Sequence, residues 1–167
     1  MPLLAAILAL LTLCAGPSSR PSITEVRNRS EIQKSFSSSA KLRVVNLWAT
    51  WCVPCVAEMP DLQAIDEKFA DRDVQIIGVS LDDAIPGERE DRKNLVRKFL
   101  TKSGVRFKIL YYLGNTNKLA DEYDYNAEIP ITFVFDASDR ELMRHQGVID
   151  PAKFTSDLQG LLRKERP

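Results

Sequence analysis

The chain has 167 residues, 44% hydrophobic and 28% charged, which is enough apolar material for one globular domain with a real core and no need for a second. Lysine plus arginine and aspartate plus glutamate both number 23, so the formal net charge is zero and no basic surplus points to a nucleic-acid partner. With three cysteines and one histidine, the inventory offers no obvious third and fourth ligand for a closed zinc site.

Leu3 to Leu13 is an uncharged apolar run of 11 residues, followed by small and turn-forming residues from Ala15 to Ser19. That length suits the core of a signal peptide and falls short of the roughly 20 residues that span a bilayer. No lysine or arginine precedes the run, a departure from the usual signal. Residues 1–16 therefore read as a signal peptide or an N-terminal membrane or lipid anchor, 17–22 as a linker, and 23–167 as the folded domain. Cys14 follows Leu11-Thr12-Leu13 in the manner of a lipoprotein signal, although Leu13 is large where a small residue is usual. Lipidation, cleavage and a retained anchor all stay open. Each places the domain outside the cytoplasm, in the periplasm or on the outer face of the cytoplasmic membrane, where disulfides form and persist.

Ile23 to Val26 is a brief strand candidate. Ser30 is a suitable N-cap for a helix to about Phe36, ended by the serines at 37 to 39. Leu42 to Trp48 reads as a buried strand. A helix should run from Cys52 to about Ala70, with Val56, Met59, Leu62, Ile65 and Phe69 on one face and a kink at Pro60. Val74 to Ser80 is a second buried strand, and 81 to 87 a turn. A charged helix follows from Glu88 to Lys102 with Leu95, Val96, Phe99 and Leu100 turned inward. Phe107 to Tyr112 reads as a strand and Asn117 to Tyr123 as a short helix. Ile131 to Phe135 and Glu141 to Val148 form an antiparallel hairpin, and Pro151 to Arg163 closes the chain as an amphipathic helix. The alternation predicts an α/β fold, a mixed sheet covered on both faces.

Trp51-Cys52-Val53-Pro54-Cys55 stands between the first long strand and its helix. Thiol and disulfide exchange needs a thiolate, and a free cysteine with a pKa of about 8.5 is mostly protonated at neutral pH. A helix N-terminus supplies the missing stabilisation through its unpaired N–H groups and the positive end of its dipole. Cys52 is thus the expected nucleophile and Cys55 the resolving thiol. A purely structural bridge across so small a loop would remove little denatured-chain entropy. Glu58 lies one helical turn beyond Cys55, within reach of it. Trp51 is expected to flank the disulfide, Trp48 to be structural, and His145 to be a structural or exposed strand residue.

The stretch VVNLWATWCVPCVAEMP, together with Pro60 and Pro130, resembles the active-site pattern of the exported TlpA/ResA-like thiol-disulfide oxidoreductases. The resemblance covers roughly Ile23 to Arg163. It implies a thioredoxin fold with an extra helix and strand between the second long strand and the hairpin, here Glu88 to Tyr112. It further implies a cis Pro130 that presents the Ile129 backbone to substrate, a Val53-Pro54 pair that tunes the reduction potential, and a Glu58 that influences cysteine ionisation. Classical thioredoxins carry a buried aspartate where this chain has Asn46, which cannot titrate. The implied activity is protein disulfide reduction without a metal or organic cofactor, on a disulfide-containing protein substrate, with electrons from a membrane-bound donor. Keeping apocytochrome c cysteines reduced is one such role. A disulfide-forming oxidant, a thiol peroxidase and a non-catalytic metallochaperone or binding module are the alternatives.

Overall fold

A computed structural model describes residues 23–71 and 73–164 of the chain. The expected export segment, Cys14 and the linker lie outside the described residues. Strand β1 (Ile23–Val26) leads through α1 (Arg29–Lys34) to β2 (Leu42–Trp48), α2 (Val53–Phe69) and β3 (Val74–Ser80). A 3-10 turn at Asp82–Ala84 precedes α3 (Arg89–Ser103) and β4 (Lys108–Tyr112). Then come α4 (Thr116–Tyr123), β5 (Ile131–Asp136), β6 (Glu141–Gln146) and α5 (Pro151–Lys164).

The strands make one six-stranded sheet in the order β1-β4-β3-β2-β5-β6. β1, β4, β3 and β2 run parallel, and β5 lies antiparallel between β2 and β6. This is the thioredoxin fold, and the expected extra helix and strand are α3 and β4. Side-chain alternation splits the core into two layers. Leu42, Val44, Trp48, Ile76 and Val134 face one layer with Met59, Leu62 and Phe69 of α2, Val96 and Leu100 of α3, and Phe154 and Leu158 of α5. Val45, Leu47, Ile77, Val79, Phe133 and Phe135 face the other, beneath α1 and α4. β2 and β3 are buried on both sides, which is why they read as mostly apolar runs. Among the described residues no helix is long and apolar enough to cross a membrane.

The elements differ from their sequence-based expectation in three places. Asn28, not Ser30, caps α1: its Oδ1 accepts the Glu31 N–H at 2.9 Å, while the Glu31 carboxylate accepts the Arg27 N–H at 2.8 Å. On α3 the inward positions are Arg92, Val96, Phe99 and Leu100, leaving Leu95 about half exposed at the edge of the stripe. Arg92 takes an inward place because its guanidinium reaches Asp83 at 2.7 Å. β6 stops at Gln146 because Gly147, at φ 86°, turns the chain off the sheet and donates its N–H to Pro130 O at 2.9 Å.

Candidate active site

The turn between β2 and α2 is tied down from below. The buried carboxylate of Asp82 accepts the Thr50 N–H at 3.2 Å to each oxygen, the Ser80 hydroxyl at 2.7 Å, and the Thr50 hydroxyl. Leu81 N–H donates to Trp48 O at 2.8 Å, joining the ends of the neighbouring parallel strands. The chain therefore leaves β2 in a fixed direction and enters α2 within a few residues.

Cys52 is the N-cap of α2, in extended conformation, and its Sγ accepts the Cys55 N–H at 3.3 Å. The two cysteines are joined as a disulfide with Cα atoms 5.3 Å apart. Their access differs: Cys55 is fully buried in the layer beneath α2, whereas Cys52 keeps 7% of its surface. Val53 and Pro54 occupy the first two helical positions, where a proline costs no hydrogen bond. Trp51 and Val53 are among the few large exposed apolar residues, at 48% and 79%, and they frame the open edge of the disulfide. α2 continues unbroken to Phe69 with Pro60 inside it, which removes the bond to the Val56 carbonyl.

The Ile129-Pro130 peptide bond is cis, as expected, and Ile129 O lies 3.7 Å from Cys52 Sγ. Pro130 is buried, and its carbonyl is held by Gly147 N–H and, at 3.2 Å, by Gln146 Nε2. The hairpin thus brings one backbone carbonyl up to the more accessible sulfur.

Glu58 has no exposed surface. It lies on the same inner stripe of α2 as Cys55, three residues on, and points into a polar pocket in the apolar layer. Asn46 Nδ2 donates to Glu58 Oε1 at 2.8 Å and to Thr132 Oγ1 at 3.0 Å, and Ile149 N–H donates to Glu58 Oε2 at 3.1 Å. Burial pushes the Glu58 carboxyl above its ordinary value of 4.5. The Ile149 and Asn46 donors and the nearby His145 pull it down, and Asp61 adds to the rise. A carboxyl so placed is an acceptor for a proton released next to it.

The structure thus gathers Cys52, Cys55, Trp51, Val53, Pro54, Ile129 and Pro130 around the disulfide, with Glu58 on the buried side of the helix below. Trp48, by contrast, is wholly buried against Phe99, ring centres 5.3 Å apart. From sequence, Asn46 stands out only as a residue that cannot titrate, and Thr132 and Ile149 carry no expected role. Thr132 could have been found from strand register, since antiparallel pairing of β5 with β2 sets it opposite Asn46. Nothing in the sequence marks the Ile149 backbone.

Residues 23–154 match the AhpC/TSA family. Over 60 residues the chain is 42% identical to the thiol-disulfide oxidoreductase ResA of Oceanobacillus iheyensis, covering 36% of this chain and 31% of that protein. Over 115 residues it is 30% identical to a thiol:disulfide interchange protein of Paracoccus denitrificans described as a DsbE homologue, covering 69% and 56%. Both matches span less than two thirds of the relative's length. In fold it is similar to the thioredoxin-related protein of Neisseria meningitidis serogroup B, with TM-score 0.64 and 24% identity over 79% of this chain and 90% of that one. The chain belongs to the AhpC/TSA family, and its likenesses within the thioredoxin fold lie with the ResA- and DsbE-like thiol-disulfide oxidoreductases.

Proposed function

We propose that this protein is an extracytoplasmic protein disulfide reductase that works through the Cys52-Cys55 dithiol. The observation that carries the reading is the unequal access to the pair: Cys52 caps α2 at the open edge, and Cys55 is sealed beneath it. In the reduced protein the helix N-terminus favours the Cys52 thiolate. That thiolate attacks one sulfur of a substrate disulfide. A Cys52-substrate bond forms, the substrate S–S bond breaks, and the departing thiolate takes a proton. Cys55 then loses its proton to Glu58 and attacks Cys52 Sγ, which releases the second substrate thiol and leaves the disulfide seen here. Two electrons pass to the substrate, and a membrane-bound dithiol donor restores them.

Trp51, Val53 and the Ile129 carbonyl form the docking surface for an extended substrate segment, the apolar side chains covering it and the carbonyl accepting a backbone N–H. The apolar N-terminal run directs the domain out of the cytoplasm, either as a cleaved signal or as an anchor. Among family roles, the reduction of apocytochrome c cysteines before haem attachment fits a reductase in that compartment.

Trapping tests the reading. Cys55→Ser incubated with a disulfide-containing protein such as insulin should accumulate a mixed disulfide through Cys52, whereas Cys52→Ser should accumulate none. A trap that forms only through Cys55 would reverse the assignment. Peroxide consumption without any mixed disulfide would replace it with a thiol peroxidase.

A further inference from the structure

The peptide unit between Val148 and Ile149 faces two titratable side chains at once. Its carbonyl is 2.9 Å from His145 Nε2, and its N–H donates to Glu58 Oε2 at 3.1 Å. A carbonyl only accepts, so His145 carries a proton on Nε2. His145 is also in register with Thr132 across β5 and β6, and Thr132 with Asn46 across β2 and β5. Directly opposed residues share a sheet face, so all three stand on the side that packs against α2. Glu58 is therefore linked to β6 by hydrogen bonds through one backbone amide, that of the Val148-Ile149 peptide.

The amide route has a physical consequence. A hydrogen bond accepted at the oxygen polarises the peptide and makes its N–H a stronger donor. It also fixes the plane of that peptide, which sits in a short connection between Gly147 and the first turn of α5. Without the His145 bond the plane is free to rotate and draw its N–H away from Glu58. Among nearby titratable groups, His145 from β6 favours the Glu58 carboxylate and Asp61 on α2 opposes it. Asn46 from β2 and Thr132 from β5 are neutral, and Cys55 is the remaining titratable group on the same stripe of α2.

We propose that His145 is a positioning residue which, through the Val148-Ile149 peptide, holds Glu58 in place to receive the proton of Cys55. The proposal rests on the thiol-disulfide reading above and adds a residue outside the disulfide's surroundings to it. His145 touches neither substrate nor sulfur and acts only through Glu58.

The test compares the full-length chain with His145→Phe, which keeps a ring but lacks the donor, and with His145→Gln, whose amide N–H can reach the same carbonyl. Carbon NMR of the Glu58 carboxyl across pH should show its titration moved upward in His145→Phe and brought back toward wild type in His145→Gln. Release of substrate from the mixed disulfide should slow roughly fivefold in His145→Phe, the effect of losing about one hydrogen bond, and recover in His145→Gln. An unchanged Glu58 titration in His145→Phe, or no recovery in His145→Gln, overturns the proposal. A purely structural role would lower the melting temperature and leave the titration in place. If Cys55→Ser traps no mixed disulfide at all, the thiol-disulfide reading fails, while the Glu58 titration still decides whether His145 acts on that carboxyl.

Discussion

Burial disfavours the ionised form of a glutamate sealed beneath a helix, and Glu58 is also given donors that suit that form. Ile149 N–H and Asn46 Nδ2 each supply one bond, so both charge states are supported in the same place. That balance is what a group exchanging a proton with Cys55 requires. Glu58→Gln retains the shape and cannot accept the proton. Mixed-disulfide resolution at neutral pH should then slow on the order of a hundredfold and lose its dependence on pH, as read by rapid-mixing release assays. Stability gives an independent check. With its folded pKa raised, Glu58 contributes stability that is present below its ordinary value of 4.5 and lost as pH rises through the raised one. The glutamine variant should therefore gain in melting temperature relative to wild type as pH increases across that interval. The position of Glu58 one helical turn beyond Cys55 was legible in the spacing, but its burial was not, because the donors that hold it come from β2 and from the connection before α5.

The elements that carry the site were readable where their sequence signal is local. β2 and β3 are mostly apolar runs with the bounds expected of them, and the start of α2 is set by Cys52 and Pro54. Signals that depend on a partner were not. Ser30 and Asn28 are both good caps, and Asn28 prevails because Glu31, whose N–H its Oδ1 accepts, also accepts from Asn28 Nδ2 at 3.2 Å. Leu95 was expected inward on hydrophobicity, yet the inner face of α3 is set by the 92, 96, 99 and 100 positions, and it accepts an arginine because Asp83 meets it. The difference is measurable. Leu100→Ala should cost about 2–5 kcal/mol of unfolding free energy, whereas Leu95→Ala should stay within about 0.5 kcal/mol, as followed by denaturant titration. The Asn46 bonds to Thr132 and Glu58 and the Ile149 bond to Glu58 require strand register and a loop path, which no single segment encodes.

On the scale of the whole molecule, the sheet separates two tasks. The layer under α2, α3 and α5 holds the disulfide and the buried Glu58 carboxyl, and the layer under α1 and α4 is closed by apolar and aromatic packing. The two ends of β5 differ likewise. Its first residues carry the cis-proline loop to Cys52, while its last, Asp136, fastens the hairpin turn. Burial works against ionisation of Asp136, but bonds from Ser138 and Arg140 outweigh it and hold the carboxyl down to about 2. A lowered carboxyl contributes stability that is present above its unfolded value and lost as pH falls through the folded one. Wild type should therefore lose stability between its ordinary 3.8 and about 2 more steeply than Asp136→Asn, as read by acid unfolding.

Whether the Cys52-Cys55 pair works as a reductant is decided by its reduction potential. Equilibration of the domain against glutathione or dithiothreitol buffers should give a reversible two-electron couple near the value of thioredoxin, about −270 mV. A value near that of DsbA, about −120 mV, would make the protein a disulfide-forming oxidant, and the absence of any reversible couple would contradict the oxidoreductase account altogether.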